Sequence, residues 1–296
     1  MHVTINRVSR ESTVGERDAR SAGARRVRTL RRAALACSLA CSLAVSAALA
    51  PLVAQAQAAD YQPEIGQAGK DVVWVPTSQA LVERMLDLAR VTPADYLIDL
   101  GSGDGRTVIT AARRGLTAHG IEYNPDMAEL ARRNAASAGL AERATFATGD
   151  LFQADLSRAD VITMFLLPSI NERLRPILLD LRPGTRVVSN TFRMGDWQPD
   201  QTATVDSECQ NWCTALLWIV PAKVEGAWRM DGQELKLSQH FQMLSGTLGQ
   251  APISDGRLNG NEISFTVAGV RYTGTVDGKR ITGKGKDGGS WSATRI

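Results

Sequence analysis

Between residues 73 and 222, short apolar runs alternate with longer amphipathic stretches. The run Tyr96–Leu100 is apolar at nearly every position, which predicts a strand that is covered on both faces of a sheet. Further strands are predicted at residues 118–122, 144–149, 159–167 and 186–192. Helices are predicted between them, at residues 106–114, 126–138 and 168–181. Strands that alternate with helices in this way predict an α/β fold with a mostly parallel sheet.

The last part of this sheet is predicted to differ from the first. Too few residues lie between Phe192 and Ala203 for a full helix, so this connection is predicted to be a loop. Residues 203–220 then supply a closing antiparallel pair of strands. Pro176 lies inside the preceding predicted helix, which it should kink or break because it lacks an N–H group and clashes with the preceding turn.

From residue 226 onward, the hydrophobic pattern changes to short alternating runs that are rich in Gly and Thr. Strands are predicted at Glu262–Val267, 271–276, Arg280–Lys284 and Ser290–Arg295. Hairpin turns fit the dipeptides between them, Ala268-Gly269, Asp277-Gly278 and Asp287-Gly288. These strands predict a small antiparallel meander or partial barrel, closed by pairing of the segments around Trp228 and Trp291, whose rings we expect in its core. The chain is therefore divided into a leader, an α/β domain and a small β domain, at residues 1–58, 59–222 and 223–296.

A glycine-rich turn follows the first strand. Gly101, Gly103 and Gly105 come directly after Asp99 and Leu100, and Ser102 separates the first two glycines. Glycine permits positive φ and lets a ligand approach the backbone where a Cβ atom would collide. The spacing is G-x-G-x-G, not the G-x-G-x-x-G of dinucleotide sites, and the triplet alone also fits a plain tight turn.

Acidic residues end the next two strands. Glu122 lies 21 residues after Gly101, where a carboxylate can accept hydrogen bonds from both ribose hydroxyls. Asp150 and Leu151 follow the third strand and would place a second acid and an apolar wall beside a purine. Because the carboxyl ends of parallel strands meet at one edge of the sheet, these residues predict a nucleoside-binding crevice there.

Residues 99–105, Glu122 and Asp150 resemble the motifs of class I S-adenosylmethionine (SAM) dependent methyltransferases, and the resemblance covers roughly residues 73–222. One branch is resembled more narrowly, through Pro76-Thr77, residues 99–106 and residues 184–189. That branch contains bacterial proteins and the mitochondrial lysine N-methyltransferases that act on ATP synthase subunit c and the adenine nucleotide carrier. This chain has Ser78 where the branch usually has Pro, so the match at Thr77 is less complete.

The resemblance implies a Rossmann-like class I methyltransferase domain with a seven-strand-type sheet, and SAM as the cofactor. It implies that the cofactor is bound by Thr77, Asp99, Gly101, Ser102, Gly103, Gly105, Glu122, Asp150 and Leu151. Transfer of a sulfonium-activated methyl group to a nucleophile needs neither a metal nor a covalent residue, because positioning and exclusion of water do most of the work. We therefore assign no catalytic residue from the sequence.

The segment after the fourth strand, Phe-Leu-Leu-Pro at residues 165–168, faces the transferring methyl group in the resembled enzymes. DNA and RNA amino methyltransferases place Asn or Asp-Pro-Pro-aromatic there, whereas this segment has no side-chain acceptor, which disfavours methylation of base amines. An apolar slot suits a lysine stem and would keep the amine neutral by desolvation, and it also suits a small hydrophobic acceptor. Tyr123, Asn190 and Trp197 are candidate pocket residues by their positions at strand ends.

The net charge of +3 comes from the first 58 residues, which hold nine Arg against three acidic residues. The remaining chain keeps 25 of the 34 basic and 28 of the 31 acidic residues, a net charge of −3, so no nucleic-acid partner is expected. The leader combines a basic stretch at 25–32, an uncharged stretch at 33–53 and small-x-small cleavage sites at 54–58. It predicts a signal peptide and a periplasmic or secreted protein. An inner-membrane anchor through residues 33–53, or a cytoplasmic protein, is the alternative.

Two cysteines, Cys209 and Cys213, lie outside the leader. In an extended strand their Cα atoms would be about 13 Å apart, beyond disulfide reach, so a bridge requires a turn at residues 210–212. The bridged and the free state are both compatible with this spacing. With only His119 and His240 outside the leader, no metal site is expected.

Three hypotheses about function follow. The first is a SAM-dependent methyltransferase, with protein lysine as the favoured acceptor and a small molecule as the alternative. The second is an exported binding protein that keeps the fold without the activity, since SAM is made in the cytoplasm. The third, an NAD(P)-dependent oxidoreductase, is disfavoured by the glycine spacing and by the Gly149-Asp150 pair.

Overall fold

The computed structural model describes residues 61–285 and 288–296. The expected leader at residues 1–58 lies outside the described residues, as does Asp287 of the last predicted hairpin turn. Within the described part of the chain, no helix is both long and apolar enough to cross a bilayer.

The first seven strands form one sheet. They are β1 Tyr96–Leu100, β2 Thr117–Glu122, β3 Ala144–Thr148, β4 Val161–Met164, β5 Arg186–Asn190, β6 Gln201–Thr204 and β7 Thr214–Ile219. Their order across the sheet is β3-β2-β1-β4-β5-β7-β6. β1 to β5 are parallel, and β6 and β7 form the predicted antiparallel pair. β7 is also antiparallel to β5. The order changes direction between β1 and β4, which opens a crevice at the carboxyl ends of these strands.

Four helices accompany this sheet: α1 Gln79–Leu88, α2 Arg106–Arg113, α3 Pro125–Ser137 and α4 Pro168–Leu179. α3 begins with Pro125 after an Asn124 cap, whose Oδ1 accepts a hydrogen bond from the Asp126 amide (2.9 Å). α4 continues through Pro176, so the predicted kink or break did not end the helix. Pro176 and Glu172, whose carbonyl loses its helical partner, are both exposed, and water can satisfy that carbonyl.

β1 explains how the two faces of the sheet are buried. Leu97 packs in the core that includes α1, α2 and α3, whereas Ile98 packs in the core that includes α4. Successive side chains of a strand point to opposite faces, and both faces are covered here, which is why the strand is apolar at nearly every position. Asp99 lies on the same face as Leu97, at the end where α2 begins.

The C-terminal region is a closed antiparallel barrel of eight strands. They are β8 Gly226–Met230, β9 Gln233–His240, β10 Met243–Leu248, β11 Ala251–Asn259, β12 Glu262–Val267, β13 Val270–Asp277, β14 Arg280–Lys284 and β15 Ser290–Arg295. The sequence predicted the last four. β8 was expected only as a pairing segment around Trp228, and β9, β10 and β11 were missed. The register shifts in the pairing of β10 with β11 and of β11 with β12, which interrupts their alternation. A Cβ atom on Gly246 would lie 1.8 Å from the Lys236 carbonyl oxygen, so β10 passes too close to β9 for a side chain.

The barrel closes where β15 pairs with β8, as expected. Trp228 and Trp291 do not lie opposite one another, since Trp228 is paired with Arg295. Both indoles are buried in the barrel core. Each indole N–H donates to a carbonyl, that of Val224 for Trp228 (2.8 Å) and that of Thr273 for Trp291 (3.1 Å). Core packing therefore accounts for both residues.

The barrel contacts the sheet through the loop between β5 and β6. Trp197 in this loop is fully buried and donates from Nε1 to Gln242 Oε1 (2.9 Å). Gln242 Nε2 in turn donates to the Gln198 carbonyl (2.8 Å). Arg257 of β11 pairs with Asp200 beside the same loop (2.6 Å). Trp197, a candidate pocket residue from the sequence, is thus a contact between the two parts of the fold and does not line the cavity described below.

Candidate functional site

A cavity of about 440 Å³ lies at the carboxyl ends of β1 to β4. It is lined by eight of the nine residues that the resemblance implied: Thr77, Asp99, Gly101, Ser102, Gly103, Glu122, Asp150 and Leu151. Gly105 does not line it. A Cβ atom on Gly105 would lie 2.7 Å from Phe146 Cζ and 2.9 Å from Ala131 Cβ. Gly105 therefore allows close packing of α2 on α3 and β3, which differs from the expected role in binding.

The glycine turn forms one wall of the cavity. The amides of Gly101 and Ser102 both donate to the Ile121 carbonyl (2.9 and 3.0 Å), which fixes the turn to β2. Gly101 and Gly103 have φ of 75° and 54°, values that L side chains rarely adopt. The Ser102 Oγ atom is buried and has no hydrogen-bond partner among the described residues.

The Glu122 carboxylate is held in place by backbone groups on both sides. Oε2 accepts a hydrogen bond from the Gly103 amide (2.9 Å), and Oε1 accepts one from the Asn124 amide (3.0 Å). Each oxygen keeps a lone pair for a further donor. The carboxylate is thus a preorganised acceptor at the end of β2, the position at which the sequence predicted contact with a ribose.

Asp99 is the buried acid of the site. Its Oδ1 accepts a hydrogen bond from the Thr163 hydroxyl (2.6 Å), and its side chain is almost entirely shielded from water. Burial raises the pKa of Asp99 to about 7, against the effect of the Thr163 hydrogen bond, and the negative charge of Glu122 adds to the rise. Asp99 therefore changes its protonation near neutral pH.

Residues 66–77 cover the cavity. This segment, which we call the strap, doubles back on itself through hydrogen bonds from the Gly66 amide to the Trp74 carbonyl (2.8 Å) and from the Trp74 amide to the Gln67 carbonyl (2.9 Å). Its far end is held by Arg106, which donates to the Thr77 carbonyl (2.9 Å). The Trp74 indole lies directly over Gly103, since a Cβ atom there would be 2.6 Å from Trp74 Nε1.

The tip of the strap contacts the acid at the end of β3. Lys70 Nζ donates to Asp150 Oδ2 (2.8 Å) and lies 4.6 Å from the centre of the Tyr123 ring. The hydrogen bond from Lys70 lowers the pKa of Asp150. Tyr123, a pocket candidate from the sequence, lines the cavity as expected. Lys70 was missed, because a lysine in an irregular segment carries no local signal of its partner 80 residues away.

The opposite end of the cavity is apolar and aromatic. Phe165, Leu166 and Leu167, which follow β4, line it together with Phe192 and Trp212. The Phe165 ring centre is 5.9 Å from that of Phe192 and 5.9 Å from that of Trp212. The predicted apolar slot at 165–167 therefore continues into an aromatic cluster, in which Phe192 and Trp212 were not predicted from the sequence.

A disulfide joins Cys209 and Cys213, with Cα atoms 5.7 Å apart, and so decides between the two states that the spacing allowed. The turn that the bridge requires is present, since Trp212 has a φ of 56°. Asn190, the remaining pocket candidate, is buried and donates from Nδ2 to Thr77 Oγ1 (3.2 Å). It supports the strap and does not line the cavity.

The charges of the lining suit a cationic ligand with a nucleoside part. Five acidic residues line the cavity, against Lys70 and Arg106: Asp71, Asp99, Asp104, Glu122 and Asp150. SAM carries a sulfonium and an ammonium against one carboxylate, and its volume suits a cavity of this size. The fixed Glu122 carboxylate adds an acceptor for its ribose hydroxyl groups. The residues present therefore fit SAM. Among the described residues, no cluster of His, Cys, Asp and Glu could hold a metal.

Comparison with known proteins identifies methyltransferases that are similar to this chain. The ANTKMT methyltransferase domain matches residues 99–201. A protein-lysine N-methyltransferase of Saccharolobus islandicus (strain REY15A) is 41% identical over 152 residues, which are 50% of this chain and 94% of that protein. The adenine nucleotide translocase lysine N-methyltransferase of Mus musculus is 39% identical over 130 residues, 43% of this chain and 56% of that protein. This chain thus spans little more than half the length of the mouse relative.

Among solved structures, an RNA methyltransferase from Salinibacter ruber in complex with S-adenosyl-L-homocysteine matches with 50% identity and a TM-score of 0.48. The match covers 51% of this chain and 96% of that one. The barrel strands, which begin at Gly226, lie outside the residues that the methyltransferase domain matches.

Proposed function

This chain belongs to the family of SAM-dependent methyltransferases that share the ANTKMT methyltransferase domain, and we propose that it methylates the side-chain amine of lysine in a protein. The observation that carries the proposal is the continuity of one cavity. The acid-lined half with the glycine turn opens directly into the slot at residues 165–167. An acceptor in that slot meets no hydrogen-bonding side chain from these three residues, as a lysine stem requires.

The residues of the acid-lined half have distinct roles in this proposal. Glu122, held by two backbone amides, accepts from the ribose hydroxyls, and Asp150 accepts from the adenine amine. Asp99 lies beside the glycine turn, where a carboxylate attracts the ammonium of the methionyl part. Bound SAM supplies an electrophilic methyl group. The Trp74 ring and the strap exclude water from the site, which strengthens each of these interactions.

The apolar slot governs the acceptor. Phe165 and Leu167 surround a hydrocarbon stem, and the low polarity lowers the pKa of an amine by desolvation. A neutral amine has the lone pair that forms the new C–N bond while the C–S bond breaks. The names of the relatives point to the same acceptor, since both are lysine N-methyltransferases. A small hydrophobic acceptor is the second candidate, because the slot would bind it by the same contacts.

We also propose that the protein is exported. The basic and then uncharged leader at residues 1–58 carries this proposal, and the Cys209–Cys213 disulfide supports it, because disulfides persist in oxidising compartments. Fractionation of the tagged full chain, with N-terminal sequencing of the product, tests it. An uncleaved product in the soluble cytosolic fraction would refute export. Such a protein would share a compartment with SAM, which is made in the cytoplasm. An uncleaved product in the membrane would favour the anchor through residues 33–53.

Calorimetric titration of SAM, and separately of NAD, into the full chain tests the cofactor. We expect micromolar SAM binding, no NAD binding, and loss of SAM binding in Gly103→Asp, whose side chain would collide with Trp74. A folded protein that does not bind SAM would favour a binding protein without activity.

The acceptor is tested with SAM labelled in the methyl group. The full chain is incubated with protein extracts and the labelled products are hydrolysed to amino acids. Label in mono-, di- or trimethyl-lysine supports the proposal. Label confined to small molecules refutes protein-lysine methylation and supports the second candidate.

A further inference from the structure

The aromatic end of the cavity is built at a conformational cost. Thr191, immediately before Phe192, has a φ of 58°, and Trp212 has a φ of 56°. Left-handed backbone is unfavourable for β-branched and bulky residues, and such outliers concentrate at functional sites. Contacts with other residues stabilise both conformations. The Thr191 amide donates a hydrogen bond to the Thr214 carbonyl (2.7 Å), and Trp212 lies within the loop closed by the Cys209–Cys213 disulfide. The two left-handed residues thus position the rings of Phe192 and Trp212 beside Phe165.

Trp212 also remains accessible. Its side chain is 43% exposed although its ring is in contact distance of Phe165, so part of a large apolar surface faces the cavity mouth. Packing alone does not account for an indole that is held on a strained, bridged turn and left open to solvent. A ligand that covers the ring faces would account for it.

We propose that Phe165, Phe192 and Trp212 form an aromatic portal that binds the ammonium end of the acceptor lysine, and that the Cys209–Cys213 bridge holds Trp212 in this portal. The inference rests on the proposed function and names the acceptor subsite. The faces of aromatic rings attract ammonium groups, with Trp the strongest of the three, and no residue of the portal or of the slot at 165–167 is acidic. The ammonium gives one proton to water at the open mouth, and the neutral amine then advances along the slot to the methyl group.

The test measures acceptor binding without turnover. The full chain is labelled with ¹⁵N in its tryptophans, and the indole signal of Trp212 is assigned by its loss in Trp212→Phe. Two probes are titrated: Nα-acetyl-lysine N-methylamide and Nα-acetyl-norleucine N-methylamide, which has the same four-carbon side chain without the ammonium group. We expect the lysine probe to shift the Trp212 signal and to bind about tenfold more tightly than the norleucine probe.

Substitutions in the portal test whether its rings cause the preference for the lysine probe over the norleucine probe. Affinities of the variants for both probes are measured by calorimetry, because the Trp212 signal is lost when Trp212 is replaced. Trp212→Leu and Phe165→Leu should each abolish the preference for lysine, whereas Trp212→Phe should keep part of it. Met243→Ala, which removes an exposed apolar residue of the barrel outside the cavity, should leave it unchanged. Equal binding of the two probes, absence of binding by either, or an undiminished preference in both Leu variants would overturn the portal.

The bridge is tested with the double variant Cys209→Ser, Cys213→Ser. We expect it to bind the lysine probe several-fold more weakly and to broaden the Trp212 signal, while its affinity for SAM stays that of the wild type. An unchanged probe affinity would refute the role of the bridge. The SAM titration also separates the two proposals. A protein that binds SAM but shows no lysine preference keeps the methyltransferase function and loses the portal. A protein that prefers lysine but does not bind SAM keeps the portal and loses the methyltransferase function.

Discussion

The ammonium of Lys70 lies 2.8 Å from a carboxylate oxygen of Asp150. This contact joins the tip of the strap to the end of β3, and thus links a covering segment to the acid proposed to bind the adenine amine. Both side chains are partly open to solvent, so the ion pair is weak enough to break and re-form. We therefore expect this contact to open before the sheet beneath it unfolds.

The first prediction concerns this ion pair. Lys70→Met should raise the pKa of Asp150 towards its ordinary value, because the hydrogen bond from Lys70 is the main cause of the lowered pKa. It should also speed SAM dissociation about twofold to fivefold, because the tip of the strap loses its anchor. NMR titration of the carboxyl carbons and stopped-flow dissociation measure the two effects. Lys223→Met, which breaks an exposed pair with Asp180, is the control. Unchanged dissociation in Lys70→Met would contradict the role of the strap.

The second prediction concerns Asp99 and pH. The pKa of its folded carboxyl is raised to about 7, so the folded protein holds a proton that the unfolded chain has released above about pH 4. The free energy of unfolding should therefore fall as the pH rises from about 4 to about 7. Asp99→Asn, a neutral isostere that still accepts from Thr163, should remove this slope and stabilise the ligand-free protein at pH 8 by on the order of 2–4 kcal/mol.

Urea unfolding at pH 5 and pH 8 measures this effect, with Asp231→Asn at an exposed turn as the control. The same Asp99→Asn variant should bind SAM more weakly, because the negative charge near the methionyl ammonium is lost. Equal pH slopes in the variant and the wild type would show that burial of Asp99 does not govern the pH dependence.

The third prediction concerns the approach of Trp74 to the glycine turn. Gly103→Ala places a methyl group 2.6 Å from Trp74 Nε1 at a residue with a φ of 54°, so the turn and the indole must both shift. We expect at least a tenfold loss of SAM affinity, measured by calorimetry. Gly289→Ala is the matched control, since a Cβ atom there meets nothing within 4 Å. Wild-type affinity in Gly103→Ala would mean that the strap is not part of the cofactor site.

The fourth prediction concerns the contact between the barrel and the sheet. Gln242→Ala leaves the buried Trp197 indole N–H without its acceptor and should destabilise the fold by about 1–3 kcal/mol. Thermal and urea unfolding measure the loss, and Gln250→Ala at an exposed turn should be neutral. An unaffected stability in Gln242→Ala would mean that water replaces the lost acceptor.

The sequence determined the sheet more completely than the cover of the site. Tyr96–Leu100 could be recognised because burial on both faces demands an apolar run, and Glu122 because the strand ends directly at it. The roles of Lys70 and Trp74 depend on contacts with residues far along the chain, Asp150 and Gly103, which no local pattern encodes.

The aromatic cluster could be predicted only in part, for a related reason. Phe165 belongs to a segment of known position after β4, whereas Trp212 enters the site through a turn whose geometry depends on the disulfide. The C-x-x-x-C spacing did not decide whether the bridge forms. A large apolar residue between the two cysteines, Trp212, was a sequence signal that this turn could contribute to a site. Gly105 shows the opposite case, since its spacing suggested a ligand contact and its neighbours Phe146 and Ala131 reveal tight packing.

The pairing of β8 with β15 has a consequence for the folding kinetics. Trp228 and Arg295 are neighbours across this ladder although 67 positions separate them in the chain. Such a contact closes a long loop, and non-local pairings of this kind slow the folding of β proteins. During synthesis β8 must wait with an open edge until β15 has left the ribosome, and an open edge invites pairing with other chains. The barrel is therefore the part of the molecule in which we expect the slow phase of refolding and the onset of aggregation.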